Sequence, residues 1–193
     1  GATKQQAEIL FRDAVKMVRQ SPALDSRLDM SGGPGREINI AYLRKSSFFR
    51  PVSRETKKTG SGPRPHFALV DELHEHPDGG VLEILERGFK FRRQPLLLMI
   101  TNSGSDRTSV CFIEHEHAVR VAAANREAKD EHAHYLGEVL SREGDATFSY
   151  VCGLDAGDDP LEDPSCWVKA NPLMGVTITE DYLAGVVSQG KDI

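Results

Sequence analysis

Four apolar residues followed at once by two carboxylates, in Phe67-Ala68-Leu69-Val70-Asp71-Glu72, constrain this chain more than any other stretch. The apolar run is too short for a convincing helix and suits a strand buried on both faces. A second such run, Leu96-Leu97-Leu98-Met99-Ile100, ends in Thr101-Asn102-Ser103-Gly104. Between them, Asp78 can cap a helix that carries Val81, Leu82, Ile84 and Leu85 and closes near Gly88. Two short apolar strands separated by a helix form a βαβ unit, hence a parallel sheet. Ligands bind such sheets in the crevice at the carboxyl ends of the strands. The sequence thus predicts Thr101 beside Asp71 and Glu72, at one end of one sheet.

The flanking chain reads as a mixture of helices and strands. Thr3 and Gln6 form a capping box, and Ala7, Leu10, Phe11, Ala14, Val15, Met17 and Val18 recur at helical spacing over residues 4–20. Ser21-Pro22 ends that helix and starts a short second one. Gly32-Gly33-Pro34-Gly35 is a turn; no Lys-Ser or Lys-Thr follows it, so it is not a phosphate loop. Residues 37–43 alternate with Ile38, Ile40 and Tyr42 on one side, a strand signal, and residues 47–52 are the expected hairpin partner. Residues 53–65, rich in Lys, Ser, Thr, Gly and Pro, read as a loop leading into the 67–72 strand. Beyond Gly104 a helix starts at Thr108 or Ser109 and breaks near Asn125, and a polar helical stretch continues to Leu140. Residues 146–154 read as a strand with Phe148, Tyr150 and Cys152 on one face. A short helix then stops at Pro172, and Thr179 caps a last helix from Glu180 to about Val187.

With 193 residues, 27% charged and 39% hydrophobic, the chain is long enough for one domain with a core and is not of disordered composition. A net charge of −5 argues against a protein that coats nucleic acid everywhere. Basic runs at Arg44–Arg64 and Arg87–Arg93 and acidic runs at Asp71–Glu86 and Asp155–Asp163 read first as solvated faces, with a phosphate-facing surface as the alternative. Cys111, Cys152 and Cys166 form no CxxC pair and read as core thiols of a reducing compartment. No apolar run nears the roughly 18 residues of a membrane span, so no membrane partner is expected. His74/His76, His115/His117 and His132/His134 are read as polar surface residues, because side chains at i and i+2 on a helix point about 200° apart; no zinc is expected. Trp167 is read as a packing anchor for the acidic turn before it.

The strand ending in Asp71-Glu72 has the Walker B pattern of nucleoside triphosphatases, in which the first carboxylate holds Mg²⁺ and the second orients or deprotonates the attacking water. Further motifs extend the match. Asp71-Glu72-Leu73-His74-Glu75-His76 resembles the extended Walker B box of the large terminase subunit of tailed bacteriophages. Leu97 to Gly104 resembles that family's coupling motif, and Asp106-Arg107-Thr108-Ser109-Val110-Cys111 the segment after it. Trp167-Val168-Lys169-Ala170-Asn171-Pro172, shortly before Asp181-Tyr182-Leu183, is similar to its Trp-x-x-Ala-Asn-Pro signature. The family is the motor that drives viral DNA into procapsids, with an ATPase domain followed by a metal-dependent nuclease domain.

The resemblance implies an α/β fold: a mostly parallel sheet of the P-loop NTPase, additional-strand catalytic-Glu type, with helices on both faces. It implies that Asp71 binds Mg²⁺, that Glu72 activates water, and that Thr101, with Asn102 beside it, senses the γ-phosphate of ATP and couples hydrolysis to DNA movement. Arg64 is the candidate for an arginine reaching a neighbouring subunit's nucleotide, ahead of Arg54 and Arg107. Implied partners are double-stranded DNA, the small terminase subunit and the portal, in a homo-oligomeric ring in the bacterial cytoplasm. Two departures qualify the match: no Walker A motif precedes the first helix, and Asn102 stands where the family often has Thr. The chain begins Gly-Ala-Thr and reads as residues 1–193 of a partial ATPase domain, incomplete at its N-terminal side and without the nuclease. It is expected to hydrolyse ATP very slowly or not at all by itself. Two other readings stand beside this one: a superfamily 2 DExH helicase fragment, with Asp71-Glu72-Leu73-His74 as its box, and a DNA- or portal-binding module without chemistry, resting on the basic loop.

Overall fold

A computed structural model describes residues 4–52, 64–102, 104–127 and 147–191. Thr3, Arg54, the rest of the basic loop at 53–63, Ser103 and the expected helical continuation to Leu140, with His132 and His134, lie outside the described residues. The chain divides into two units, residues 1–115 and 116–193.

In the first unit, helix α1 (Lys4–Gln20) turns its apolar stripe inward: Ala7, Phe11, Val15 and Val18 are buried, one or two turns apart. A short helix α2 (Pro22–Asp25) follows the Ser21-Pro22 stop, as expected. Strands β1 (Asp29–Ser31), β2 (Asn39–Tyr42) and β3 (Ser47–Phe49) form an antiparallel sheet in the order β1-β2-β3. The β2–β3 hairpin was legible as alternation. β1 was not, because a three-residue strand with one apolar side chain leaves no periodic trace. Phe11, Val15, Val18 and Ile40 form one core cluster, with Ala14, Leu28 and Met30 against it. The turn after β1 needs glycine: Gly32 has φ 109°, and a Cβ there would come 2.1 Å from the Arg36 carbonyl oxygen. Arg19 reaches the Glu37 carboxylate at 2.7 Å, and hydrogen bonds from Glu37's own main chain and from Arg19 hold that carboxyl below the ordinary glutamate range.

Strands β4 (Phe67–Asp71) and β5 (Leu96–Ile100) pair in parallel, with Asp71 opposite Ile100. The connecting helix α3 (Gly80–Phe89) starts where Asp78 Oδ1 accepts the Gly80 N–H at 2.9 Å. Ala68, Val70, Leu73, Val81, Leu82, Leu85 and Cys111 make the second core cluster, with Leu97, Met99, Phe89 and Val110 around it. The predicted βαβ unit is present. The surrounding sheet differs from the expectation of a mostly parallel sheet with helices on both faces: among the described residues the parallel sheet has two strands, and the antiparallel sheet is separate. Nor are the apolar runs buried on both sides. Ala68 and Val70 face α3, whereas Phe67, Leu96, Leu98 and Ile100 are exposed, Ile100 to 52%. Helical cover on one face is enough to impose strand alternation on a continuous apolar run. Helix α4 (Val110–Glu127) begins where Ser109 Oγ accepts the Phe112 N–H at 3.2 Å, and it passes Asn125 unbroken.

In the second unit, residues 147–154 are not a strand. They pair with no other strand among the described residues, and Phe148 and Tyr150 are 85% and 75% exposed. Alternation alone therefore overstated the strand tendency there. The acidic turn is held from within. Lys169 Nζ lies 2.7 Å from both Asp155 and Asp158, contacts that raise its pKa well above the ordinary lysine range. Asp163 caps the 3₁₀ turn Pro164–Cys166, and helix α5 (Trp167–Ala170) buries Trp167, whose Nε1 donates to the Pro160 carbonyl at 2.7 Å. The tryptophan is the anchor expected of it. Thr179 Oγ1 accepts from the Tyr182 main chain at the start of helix α6 (Glu180–Lys191), which runs a turn longer than its apolar pattern.

No helix among the described residues is long and apolar enough to cross a membrane. Phe11 is only 1% exposed, so Phe11→Ala is expected to lower unfolding stability by about 3–5 kcal/mol. Met17→Ala, at a residue 68% exposed on the same helix, should change it by less than about 0.5 kcal/mol. Chemical denaturation of both variants checks the assignment of the helix faces.

Candidate functional site

The site is built where β4 stops. Asp71 is the last residue of the strand, half-buried, and among the described residues its carboxylate makes no hydrogen bond or ion pair. The chain then has to turn sharply, because Leu73, 1% exposed, enters the core under α3. Glu72 absorbs that turn with φ 53° and ψ 53°, left-handed backbone rare for a side-chain-bearing residue. A 3₁₀ turn, Leu73–Glu75, follows, with the Glu75 N–H on the Glu72 carbonyl at 2.9 Å and the His76 N–H on the Leu73 carbonyl at 3.0 Å. Leu73 therefore points inward, and Glu72 and Glu75 stand at the surface.

β5 delivers the other half. The register that sets Asp71 opposite Ile100 brings Thr101 up beside the turn. Thr101 Oγ1 accepts the His74 main-chain N–H at 3.1 Å, lies 3.0 Å from His74 Nδ1, and donates to the Asn102 carbonyl at 2.9 Å. The buried Cys111 thiol is 3.6 Å from the same hydroxyl. His74 Nε2 is 3.2 Å from Glu72 Oε2 and 3.3 Å from Glu75 Oε1. After the site, Asp106 accepts from both the N–H and the hydroxyl of Thr108, which keeps its carboxyl below the ordinary aspartate range and shapes the turn into α4.

His74 and His76 do not share a face. His76, expected as a surface residue, is 4% exposed. Burial lowers its pKa; a hydrogen bond with the Asp71 main chain and the nearby Asp78 charge act in the opposite direction. Its placement follows from the 3₁₀ turn, which returns the chain to the core three residues after Leu73. Sequence reasoning missed this because His-x-His carries no burial signal of its own. No group of three or more metal-ligating side chains occurs among the described residues.

The structure thus brings Asp71, Glu72 and Thr101 to one strand end together with His74, which the Walker B resemblance includes without giving it a role, and adds the thiol of Cys111. Asn102 takes part through its carbonyl and is otherwise exposed. Arg64 is not brought to the site. It precedes the amino end of β4, roughly 15 Å of strand from Asp71, where its guanidinium stacks 4.4 Å over the Phe91 ring and its carbonyl accepts from Arg92. Arg107 lies in the exposed turn before α4. Chemically, the strand end presents carboxylate and hydroxyl oxygens, the donor set of a hard cation such as Mg²⁺.

Comparison with known proteins gives one consistent result. Residues 1–120 match the family described as terminase large subunit, ATPase domain. Protein YmfN of Escherichia coli (strain K12) is 28% identical over 141 residues, which is 73% of this chain and 27% of that protein. The crystal structure of the HK97 bacteriophage large terminase superposes with a TM-score of 0.71 at 21% identity, covering 99% of this chain and 35% of that one. The chain therefore spans about a third or less of the length of each.

The left-handed backbone at Glu72 has a measurable consequence. At an ordinary helical or strand site Ala is more stable than Gly; at φ 53° the order should reverse. Glu72→Gly is expected to be more stable than Glu72→Ala by about 1 kcal/mol in chemical denaturation. Ala equal to or better than Gly would contradict the turn.

Proposed function

The chain belongs to the terminase large subunit family, within its ATPase domain, and from that premise we propose that it carries the acidic, water-activating part of an ATP-driven motor that packages double-stranded viral DNA. The observation that supports this most is the parallel register of β4 and β5, which stands Thr101 beside Asp71-Glu72 at the carboxyl end of the sheet. Ligands of α/β proteins bind at that end.

In this reading Asp71 would hold the Mg²⁺ of Mg-ATP, whose positive charge offsets the negative charge of the phosphate oxygens. Its half-buried carboxylate, without a partner among the described residues, suits the task. Glu72 orients and deprotonates the attacking water, since its carboxylate points outward from a backbone fixed by the turn. Thr101 and Asn102 form the hinge between this chemistry and the chain after β5. The exposed apolar face of Phe67, Leu96, Leu98 and Ile100 fits a P-loop-type sheet that is covered on both faces in the working motor. Lacking a Lys-containing phosphate loop of its own, the 193-residue chain would hydrolyse ATP slowly or not at all. The partners of the working motor would be DNA, a portal and a small terminase subunit, with the large subunits in a ring. Arg64, remote from its own chain's acidic pair, is free to face a neighbour's nucleotide.

Kinetics of the full-length protein test the assignment. Glu72→Gln is expected to lower kcat for ATP at least about a thousandfold while nucleotide binding changes less than about threefold. Asp71→Asn should weaken binding of ATP in Mg²⁺ but not in its absence. Turnover by Glu72→Gln near the wild-type rate would contradict the proposal.

A further inference from the structure

His74 has no part in the chemistry proposed above, yet its ring joins the two halves of the site. One nitrogen, Nδ1, is 3.0 Å from Thr101 Oγ1; the other, Nε2, is 3.2 Å from Glu72 Oε2. Counting protons sets the direction of these bonds. Ionised carboxylates only accept, so Nε2 must carry a hydrogen. The Thr101 hydroxyl has one proton and two lone pairs. With its proton on the Asn102 carbonyl, the lone pairs receive the His74 main-chain N–H and Nδ1–H; with its proton turned to Nδ1, the Asn102 carbonyl is released. In both arrangements the ring keeps its hydrogen bond to Thr101 Oγ1 at Nδ1 and its contact with the Glu72 carboxylate at Nε2.

Two further observations show that this link is held, and a third shows what takes its place when it opens. The His74 side chain is only 20% exposed. The segment after Thr101 grips it closely: a Cβ added at Gly104 would meet His74 Cβ at 3.2 Å. Glu75 Oε1, at 3.3 Å, offers Nε2–H a second acceptor, so Glu72 can leave without stranding a donor. No amide side chain replaces the ring, because Asn or Gln places both its polar atoms at one end, whereas imidazole presents two nitrogens on a rigid frame.

We propose that His74 is a positioning residue that ties the Glu72 carboxylate to the Thr101 hydroxyl, so that movement of the chain after β5 re-aims Glu72. This rests on the reading of Glu72 as the water-orienting carboxylate. A restraint of this kind acts on a glutamate whose backbone is fixed by the turn and whose side chain meets no partner but His74 among the described residues.

In the full-length protein His74→Ala and Thr101→Val are each expected to lower kcat about tenfold, with KM for ATP changed less than about twofold. Because both act through one chain of contacts, the double variant should match the single ones within about twofold, not fall about a hundredfold. Glu72→Gln, measured alongside, separates the two ways of failing. If it abolishes turnover while His74→Ala retains its kcat, the hydrolysis reading stands and the His74 tie is overturned. If Glu72→Gln turns over normally, the reading of Glu72 falls and the tie falls with it. Multiplying effects in the double variant would also overturn it. Independently of turnover, long-range proton–nitrogen correlation spectra of this chain should show His74 protonated at Nε2, with its Nδ1 resonance moved by Thr101→Val. A His74 whose only ring proton is on Nδ1 would leave Nε2 bare against two carboxylates and overturn the proposal.

Discussion

The parallel pairing of β4 with β5, in the register that sets Asp71 opposite Ile100, is the constraint on which the site depends. Strand alternation leaves no slack: a slip of one residue would turn Ala68, Val70, Leu97 and Met99 away from α3 and bring their exposed neighbours inward. The buried face therefore fixes the register, and the register fixes where Thr101 stands relative to the acidic pair. Packing specifies the geometry of the site while touching its functional groups only where Cys111 meets the Thr101 hydroxyl.

The second requirement is the turn out of β4. Leu73 has to be buried and Glu72 has to stay outside, and one residue in left-handed backbone accomplishes both. A glutamate at this position costs stability that a glycine would not. Strain held at a charged residue, beside a half-buried aspartate whose carboxylate has no partner among the described residues, is the pattern expected where a side chain is kept for chemistry and not for folding. His74 then lies near both strands' ends, and Cys111, the second residue of α4, packs against the Thr101 hydroxyl from the core side.

Much of this was legible in the sequence, for identifiable reasons. Two short apolar runs separated by a helical pattern gave the βαβ unit, and with it the meeting of Asp71, Glu72 and Thr101. Caps at Asp78, Ser109 and Thr179 marked helix starts, because side-chain oxygens there accept main-chain N–H groups whatever the tertiary context. What stayed hidden depends on contacts across the chain. The burial of His76 comes from a 3₁₀ turn that no pattern announces. The exposure of Leu96, Leu98 and Ile100 reflects what packs on the sheet, which a uniformly apolar run does not reveal. The strand expected at 146–154 had alternation but no partner to pair with among the described residues. The contacts of His74 with Thr101 and Glu72 were hidden as well, since residues 72, 74 and 101 say nothing of their proximity until the register is known.

The central claim is that the strand ends carrying Asp71-Glu72 and Thr101 form the nucleotide-facing surface. Amide hydrogen exchange on the full-length protein, with and without a non-hydrolysable ATP analogue and Mg²⁺, tests it most directly. The account predicts Mg²⁺-dependent slowing of exchange concentrated in residues 71–76 and 100–104. Bound nucleotide that left both segments unchanged would contradict it.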